Sequence, residues 1–291
     1  MKRDARRAFT LIELLIVIAI ISLLLAVVMP ALARSRATGQ SSVCLSNLRR
    51  LAVGNQLYVQ VYDVFPPFRL KTDPSGATYV NRYGRAKPRW QWFIDHGIGA
   101  VIEPTGFTAP FGDKSMSTAG GDGLTMTNRY FVDPSLGEAR WQFNIRNGAY
   151  GYNYQYLGNT RTDTTPGDYD NWPVTATRIS TPSQTVLFAD SRGGAVEHGA
   201  HSYALDPPKL ARSQNSAHFG PNGSTADEQL GHSPVEARHL GRGNVAFVDT
   251  HAEMMTLTKL GYELDGRGRP IPDGAAGSNA LWSGTGRDEA P

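Results

Sequence analysis

The sequence predicts an α+β fold, in which a long N-terminal α-helix packs on a head domain built around a small antiparallel β-sheet. Residues 14–29 form an apolar run whose single polar side chain is Ser22. Apolar residues continue at helical spacing to about Tyr62. Beyond that point, short aromatic-rich segments alternate with glycine, proline and asparagine, which is typical of short strands and turns. The 291 residues suffice for one such domain and an anchor.

Residues 1–8 form a basic leader. They contain four basic residues and one acidic residue, so their net charge of +3 equals the formal net charge of the whole chain. The rest of the chain is therefore balanced, although the pI is near 9.0. Because no basic excess remains to neutralise phosphates in bulk, we expect no nucleic-acid partner. A basic cluster before an apolar run also predicts that the N-terminus stays in the cytoplasm.

Residues 9–33 are predicted to cross the membrane, since about 20 consecutive apolar residues span a bilayer core. Three processing routes fit this segment. A secretory signal peptidase could cut after Ala33, because Ala31-Leu32-Ala33 supplies a small-x-small pattern. The segment could also remain as an uncleaved anchor, or the chain could be cut on the cytoplasmic side between Ala8 and Phe9.

Glu13 favours the cut before Phe9. A carboxylate in an apolar helix costs about 2.5–3.5 kcal/mol at the bilayer centre and less near its edge. A plain signal peptide or anchor has no use for that cost. In a bundle of staggered helices, however, Glu13 could neutralise the free α-amine of Phe9 on a neighbouring chain, which would select the partner and the register.

Residues 7–17 read RAFTLIELLIV, which resembles the processing site of type IV pilins and type II secretion pseudopilins. The resemblance implies a prepilin peptidase that cuts before Phe9 and methylates its amine. It also implies assembly with other pilin or pseudopilin subunits by an inner-membrane machinery, with a periplasmic head and a filament in the periplasm or at the cell surface. Pro30 lies where many members of the family have a helix-bending proline. Ala8 departs from the family, which prefers glycine there.

Residues 34–65 are predicted to continue the helix as an amphipathic segment that packs one face on the head, and Pro66-Pro67 ends it. A helix from Phe9 to about Tyr62 would be roughly 80 Å long. Cys44, the sole cysteine, is expected to be a small buried apolar residue, so that no intrachain disulfide forms. The apolar face is expected to contain Cys44, Leu48, Leu51, Tyr58 and Tyr62, interrupted by Asn55.

Residues 66–265 form the predicted head. Residues 89–98 are expected to be a short helix, and long loops are expected over 109–127, 158–172 and 193–231. Residues 266–291 are polar and rich in glycine and proline, which predicts a flexible tail. The candidate strands are residues 77–83, 129–132, 150–157, 185–189, 244–248 and 253–257.

The head carries one patterned group of titratable residues. Nine residues separate His239 from Asp249, and His251 follows. This spacing resembles the H-x9-DG element of a pilin-like family abundant in planctomycetes and verrucomicrobia, except that Thr250 stands where that family has glycine. A turn that needs positive φ would be strained by threonine, so we expect either a different turn type here or a different placement of His251. We expect His239 to have a structural role, with bonds to the hairpin backbone or Asp249.

A metal site is the alternative for these residues. His239, Asp249 and His251 are all possible ligands of zinc or calcium. Asp190 and Asp249 each end a V-x-F-x-D strand, so a calcium ion could bind between them if the two strand ends meet. No nucleophile elbow, phosphate loop or HExxH pattern is present, and we expect no catalytic residue and no obligatory cofactor.

The predicted function is therefore assembly: a structural, non-enzymatic subunit of a pilin-like or pseudopilus filament. Two other functions fit less of the sequence. The chain could be a membrane-tethered binding module, for example for polysaccharide, or a periplasmic metal-dependent hydrolase that uses His239, Asp249 and His251. Neither alternative has a use for Glu13.

Overall fold

The computed structural model describes residues 11–68, 90–94, 129–136, 150–158, 160–161, 169–170, 174–191, 204–209, 233–271 and 274–289. It confirms the predicted fold class. Helix α1 (Leu11–Tyr62) precedes a four-stranded antiparallel sheet. The strands are β1 (Tyr150–Tyr152), β4 (Val186–Asp190), β5 (Gly243–Phe247) and β6 (Ala252–Met255), in the spatial order β1-β4-β5-β6. The described residues also form short helices α2 (Trp90–Ile94) and α3 (Tyr154–Leu157), a strand pair, β2 (Thr160–Arg161) with β3 (Tyr169–Asp170), and short 3-10 turns.

The two halves of α1 differ in their surroundings. From Leu11 to Leu32, the large apolar side chains are between 43% and 87% exposed. The second half packs against β4, β5 and β6. It buries Cys44, Leu48, Leu51, Ala52 and Val59. Exposure of so large a continuous apolar surface to water is unfavourable, so the first half requires a membrane or other helices around it.

The buried face of α1 departs from the prediction at two residues. Tyr62 is 61% exposed and its ring lies 4.5 Å from that of Tyr58, whereas Val59 enters the core. Asn55, which was expected to interrupt the apolar face, is fully buried on it. Spacings of three and four residues from Leu48 through Leu51 and Asn55 to Val59 keep these residues on one side of the helix.

The sheet separates two hydrophobic clusters. One lies beneath α1 and contains Trp90, Tyr152 and Phe188. The other lies on the opposite face and includes Phe247 and Trp282. Alternation along β5 sends successive side chains to opposite faces. In β4 the register shifts between Val186 and Phe188, which accounts for two successive residues, Leu187 and Phe188, in the cluster beneath α1.

Three of the predicted strands are confirmed within one or two residues: those at 185–189, 244–248 and 253–257. The helix predicted at 89–98 is confirmed as the shorter α2. The strand predicted at 77–83 lies outside the described residues, as do the predicted loop at 109–127 and most of that at 193–231.

Two strand predictions were wrong in whole or in part. Arg129–Phe131 is a 3-10 turn rather than a strand. Phe131, Val132 and Asp133 are buried in succession, and Asp133 accepts hydrogen bonds from the amide and the hydroxyl of Ser135. Residues 150–157 divide into β1 and α3 at Asn153, whose side-chain amide donates to the carbonyls of Val186 and Trp282. The loop predicted at 158–172 contains the pair β2–β3.

The prediction of a flexible tail was wrong for residues 274–289. Trp282 is fully buried, and its indole Nε1 donates to the Leu260 carbonyl at 2.9 Å. Asn279 is fully buried as well and binds the backbone of Lys209. Glycine and proline content predicted mobility here, whereas the burial of one large aromatic residue outweighs it.

The turn between β5 and β6 keeps a left-handed residue although threonine stands there, so the different turn type that the sequence suggested is not needed. Thr250 adopts φ 77°. The Thr250 amide donates to the Phe247 carbonyl at 3.0 Å, and the Phe247 amide donates to the His251 carbonyl at 2.9 Å. This is a three-residue hairpin connection whose last position is left-handed and favours glycine. A β-branched residue there is costly.

We expect Thr250→Gly to raise the free energy of unfolding by about 1 kcal/mol. Relief of the left-handed strain is about 1–2 kcal/mol, and the greater chain entropy of glycine offsets part of it. Chemical denaturation of the chain in detergent measures the change. The matched control is Gly241→Ala at φ 76° with open space around it, which should lower stability by a similar amount. A loss of stability in Thr250→Gly would contradict the interpretation.

Candidate functional site

The residues predicted for processing and assembly lie at the N-terminal end of the chain. Ala8 and Phe9 are outside the described residues. Glu13 is in the first turn of α1, on an exposed surface, where the partial positive charge of a helix N-terminus favours a carboxylate. Pro30 is inside α1, where it removes one main-chain hydrogen bond. About 26 Å of helix axis separates Glu13 from Pro30, which is close to the thickness of a bilayer core.

The three residues of the predicted zinc or calcium site are not brought together. His239 precedes β5 and Asp249 follows it, so five residues of strand lie between them, about 16 Å. Asp249 pairs instead with His251 near the surface, with 2.5 Å between Oδ1 and Nδ1. The His251 ring stacks on Phe247 at 4.3 Å. The three residues that the alternative hydrolase function would use are therefore not gathered at one site.

The calcium site proposed between Asp190 and Asp249 is likewise not formed. β4 and β5 are antiparallel, with Ala189 opposite Val245 and Val186 opposite Phe247. The C-terminal ends of two antiparallel neighbouring strands point in opposite directions. Asp190 is the last residue of β4 and Asp249 follows β5, so the two carboxylates lie at opposite ends of this strand pair.

A different cluster of titratable residues forms where α1 meets the head. It consists of Cys44, Asp133, Asp190 and His239, all buried, each with a ligand atom within 4.8 Å of the others. Cys44 is on α1, and Asp133 follows the 3-10 turn at Arg129–Phe131. Asp190 ends β4, and His239 precedes β5. We call these four residues the interface cluster.

Direct polar contacts connect the interface cluster. His239 Nε2 lies 3.0 Å from Asp133 Oδ2 and 3.6 Å from Asp190 Oδ2. The Cys44 thiol lies 3.0 Å from Asp190 Oδ1, to which it donates, and 3.8 Å from Asp133 Oδ2. One imidazole and one thiol thus both face the same pair of carboxylates.

The backbone and nearby hydroxyls fix the two carboxylates. Asp190 Oδ2 accepts from the Asn244 amide at 2.8 Å. Asp133 Oδ1 accepts from the amide and the hydroxyl of Ser135, at 2.7 Å and 2.6 Å. Asp190 Oδ1 accepts from the Cys44 thiol and Asp133 Oδ2 is bonded to His239 Nε2, so each of the four carboxylate oxygens has a partner. Such support holds the side chains in one orientation.

Arg238 supplies a buried cation beside the cluster. Its Nη1 lies 3.4 Å from Asp133 Oδ2 without hydrogen-bond geometry, so the contact is an ion pair. Its Nη2 donates to the Ser191 carbonyl at 2.6 Å and to Glu236 Oε2 at 2.5 Å. The Arg238 side chain is only 9% exposed. A buried charge needs such compensation, since desolvation is expensive.

The protonation of the cluster follows from these contacts. Burial alone would raise the pKa of Asp133, but the hydrogen bond from His239 and the charge of Arg238 outweigh it and lower that pKa to about 2. Burial, together with the charge of Asp133, raises the pKa of Asp190 to about 7. Burial opposes protonation of His239, but its bond to Asp133 and the charge of Asp190 raise its pKa overall. One carboxylate is therefore firmly ionised and the other titrates near neutrality.

Sequence analysis identified His239 and Asp190 but gave them the wrong partners, and it missed Asp133 and the chemical surroundings of Cys44. Cys44 is buried, as expected. The main chain of His239 exchanges reciprocal bonds with the main chain of Arg242 at 3.0 Å. Its side chain, however, contacts Asp133 rather than Asp249. The pairing of Cys44 with Asp190 spans 146 positions, and no local spacing indicates it.

We expect Asp133→Asn to lower the free energy of unfolding by about 3 kcal/mol, because it leaves Arg238 and His239 without their main buried counter-charge. Thermal and denaturant unfolding would measure the change. Glu236→Gln is the matched control: it removes the other anion that contacts Arg238, but its side chain is 27% exposed, so the loss should be below about 1 kcal/mol. Equal losses in the two variants would contradict the assignment.

Comparison with known proteins bears on the N-terminal region. A family model described as the prokaryotic N-terminal methylation motif matches residues 3–29. No curated protein matches the chain, and no solved structure does. The motif implies processing by a prepilin peptidase and assembly with other pilin subunits. Together, the motif and the exposed apolar half of α1 support a type IV pilin-like or pseudopilin-type subunit. Within the described residues, α1 is the helix long and apolar enough to anchor the chain in a membrane.

Proposed function

We propose that the chain is a structural subunit of a pilin-like or type II secretion pseudopilus filament. The observation that carries the proposal is that one helix combines two features. The methylation motif at residues 3–29 includes the first part of α1, which begins at Leu11. The same helix leaves its first half unpacked and docks its second half on the head. A filament core built of such helices would cover the first half, while the heads would form the surface.

Before assembly, the first half of α1 would reside in the inner membrane. An 18-residue window of the helix has a mean hydropathy of 3.2, and none of that window is buried against the head. This is long and apolar enough to span a bilayer. The basic leader favours a cytoplasmic N-terminus and a periplasmic head. A cytoplasmic peptidase cut between Ala8 and Phe9 would then remove the leader.

Glu13 has the central role in the proposed assembly. It is the fifth residue after the proposed cut and lies on the exposed part of α1. A carboxylate among apolar helices is tolerated when a cation of the neighbouring chain compensates it. The methylated amine of Phe9 on the next subunit would be that cation. In this proposal the function of the chain is assembly rather than catalysis.

The proposal extends to the region from His239 to His251, whose likeness to the H-x9-DG element suggests the planctomycete-type pilin-like family. In support, Thr250 keeps the left-handed conformation that glycine would favour in that element. His239 and Asp249 fix the two ends of β5 rather than a shared site. Their role in this proposal is to shape the two hairpin turns.

N-terminal sequencing and intact mass of the protein purified from bacterial membranes test the processing. The proposal expects a mature chain that begins at Phe9 with one methyl group on its amine. A chain that begins at Arg34 would indicate a secreted binding module, and one that keeps residues 1–8 would indicate a plain anchor; either would overturn the proposal. Ala8→Gly, which restores the residue that the family prefers, should give the same mature N-terminus in a larger fraction of the chains.

We expect Glu13→Ala to abolish co-assembly without unfolding the head, because Glu13 is remote from the core under α1. Copurification of tagged and untagged subunits from sheared filaments or cross-linked membranes measures the loss. Ser22→Ala is the matched control, since Ser22 is another exposed polar residue of the same apolar segment and should assemble normally. Normal co-assembly of Glu13→Ala would contradict the assigned role, even if Phe9 proves to be the mature N-terminus.

A further inference from the structure

We propose that the interface cluster is a metal centre: Cys44, Asp133, Asp190 and His239 bind one transition-metal ion, and Zn²⁺ fits best. The ion would join α1 to the head. The inference does not depend on filament assembly, because it rests only on side chains that the fold itself brings together. It also differs from both metal sites that the sequence suggested, neither of which is formed.

The donor set indicates the metal. It offers one sulfur, one imidazole nitrogen and two carboxylate oxygens, all of them common zinc ligands. A thiolate and an imidazole disfavour Ca²⁺ and Mg²⁺, which prefer oxygen ligands throughout. The described residues supply four protein ligands, a number typical of a structural zinc site rather than a catalytic one.

The distances fit a tetrahedral ion. With zinc bonds of about 2.0–2.3 Å, ligand atoms in a tetrahedron lie roughly 3.3–3.7 Å apart. In the cluster, Asp133 Oδ2 lies 3.0 Å from His239 Nε2 and 3.8 Å from the Cys44 sulfur. Asp190 presents Oδ1 to Cys44 at 3.0 Å and Oδ2 to His239 at 3.6 Å, so its carboxylate would turn one oxygen toward the ion. Shifts of these side chains would open the cluster around an ion.

The charges also balance with an ion bound. A Cys44 thiolate and two aspartates contribute three negative charges, and a divalent ion leaves one. Arg238, a buried cation 3.4 Å from Asp133, faces that last charge, and its other anionic partner, Glu236, is partly exposed to solvent. Ion binding would release the protons of Cys44 and His239, as metal binding to such ligands generally does.

The surrounding bonds resemble the outer shell of a metal site. The Asn244 amide and the Ser135 hydroxyl and amide hold the two carboxylates from outside the cluster. Partners of this kind orient the ligands and raise metal affinity. Because the cluster is buried, the ion would enter as α1 docks during folding, so that binding contributes directly to stability.

Three measurements on the full-length protein in detergent test the proposal. Purified without chelator, it should contain about one zinc per chain by mass spectrometry of the elements. After chelator treatment, added Zn²⁺ should raise the melting temperature. Added Co²⁺ should give a thiolate-to-cobalt charge-transfer band in the near ultraviolet. Because Cys44 is the sole cysteine, that band can arise only from this site.

Two variants separate the site from other binding. Cys44→Ser should lose the cobalt band and the bound zinc. Asp249→Asn combined with His251→Gln is the matched control, because it removes an exposed Asp–His pair that could bind zinc adventitiously, and it should keep both. Absence of the cobalt band in the wild-type protein would overturn the proposal, whether or not Cys44→Ser folds. Zinc that disappears with Asp249 and His251, or that persists in Cys44→Ser, would overturn it as well.

Discussion

The docking of the second half of α1 on the sheet is the contact on which the rest of the molecule depends. A smooth apolar interface would tolerate a slide of the helix by one turn, about 5.4 Å, because each turn presents similar side chains. Polar contacts prevent such a slide. Ser41 binds the Asn244 amide oxygen at 3.1 Å, Cys44 reaches Asp190, and Arg49 donates to the Ala252 carbonyl at 3.1 Å. Each of these bonds exists in one register only.

That fixed register determines what the exposed half of α1 can do. The helix is continuous from Leu11 to Tyr62, so any rotation or slide at the interface cluster is transmitted to Glu13. Buried polar groups with specific partners are a known way to select one arrangement from several apolar ones. In the proposed filament, the interface cluster would thus set the position of each head relative to the helical core, at a distance from the subunit contacts themselves.

The strongest local patterns allowed correct prediction of the helix and of three strands. Residues 14–29 and the alternating segments around β4, β5 and β6 carry enough local signal to identify each element. Local patterns did not predict how those elements pair with one another. The assumption that Asp190 and Asp249 meet required parallel neighbours, and the hairpin-like antiparallel ladder places them apart. The spacing of His239 and Asp249 marks the two ends of one strand rather than a site.

Asp133 shows why the interface cluster could not be predicted. It follows a short 3-10 turn that lacks periodic neighbours, and it meets its partners only through tertiary packing. Burial of Trp282 and Asn279 likewise overrides the polar, glycine-rich composition of residues 274–289. In these places one or two buried side chains determine the structure of the segment, and so few side chains carry little weight in a pattern averaged over a window of residues.

The chain thus places carboxylates in apolar surroundings in two regions, and in both regions the carboxylate needs a compensating cation. Asp133 and Asp190 lie between α1 and the head and are stabilised by His239 and Arg238 of the same chain. Glu13 lies on the apolar half of α1 and, in the proposed assembly, is stabilised by a neighbouring chain. An ionised carboxylate is costly in either place without its partner. The first region therefore selects one fold of the subunit, and the second would select one arrangement of subunits.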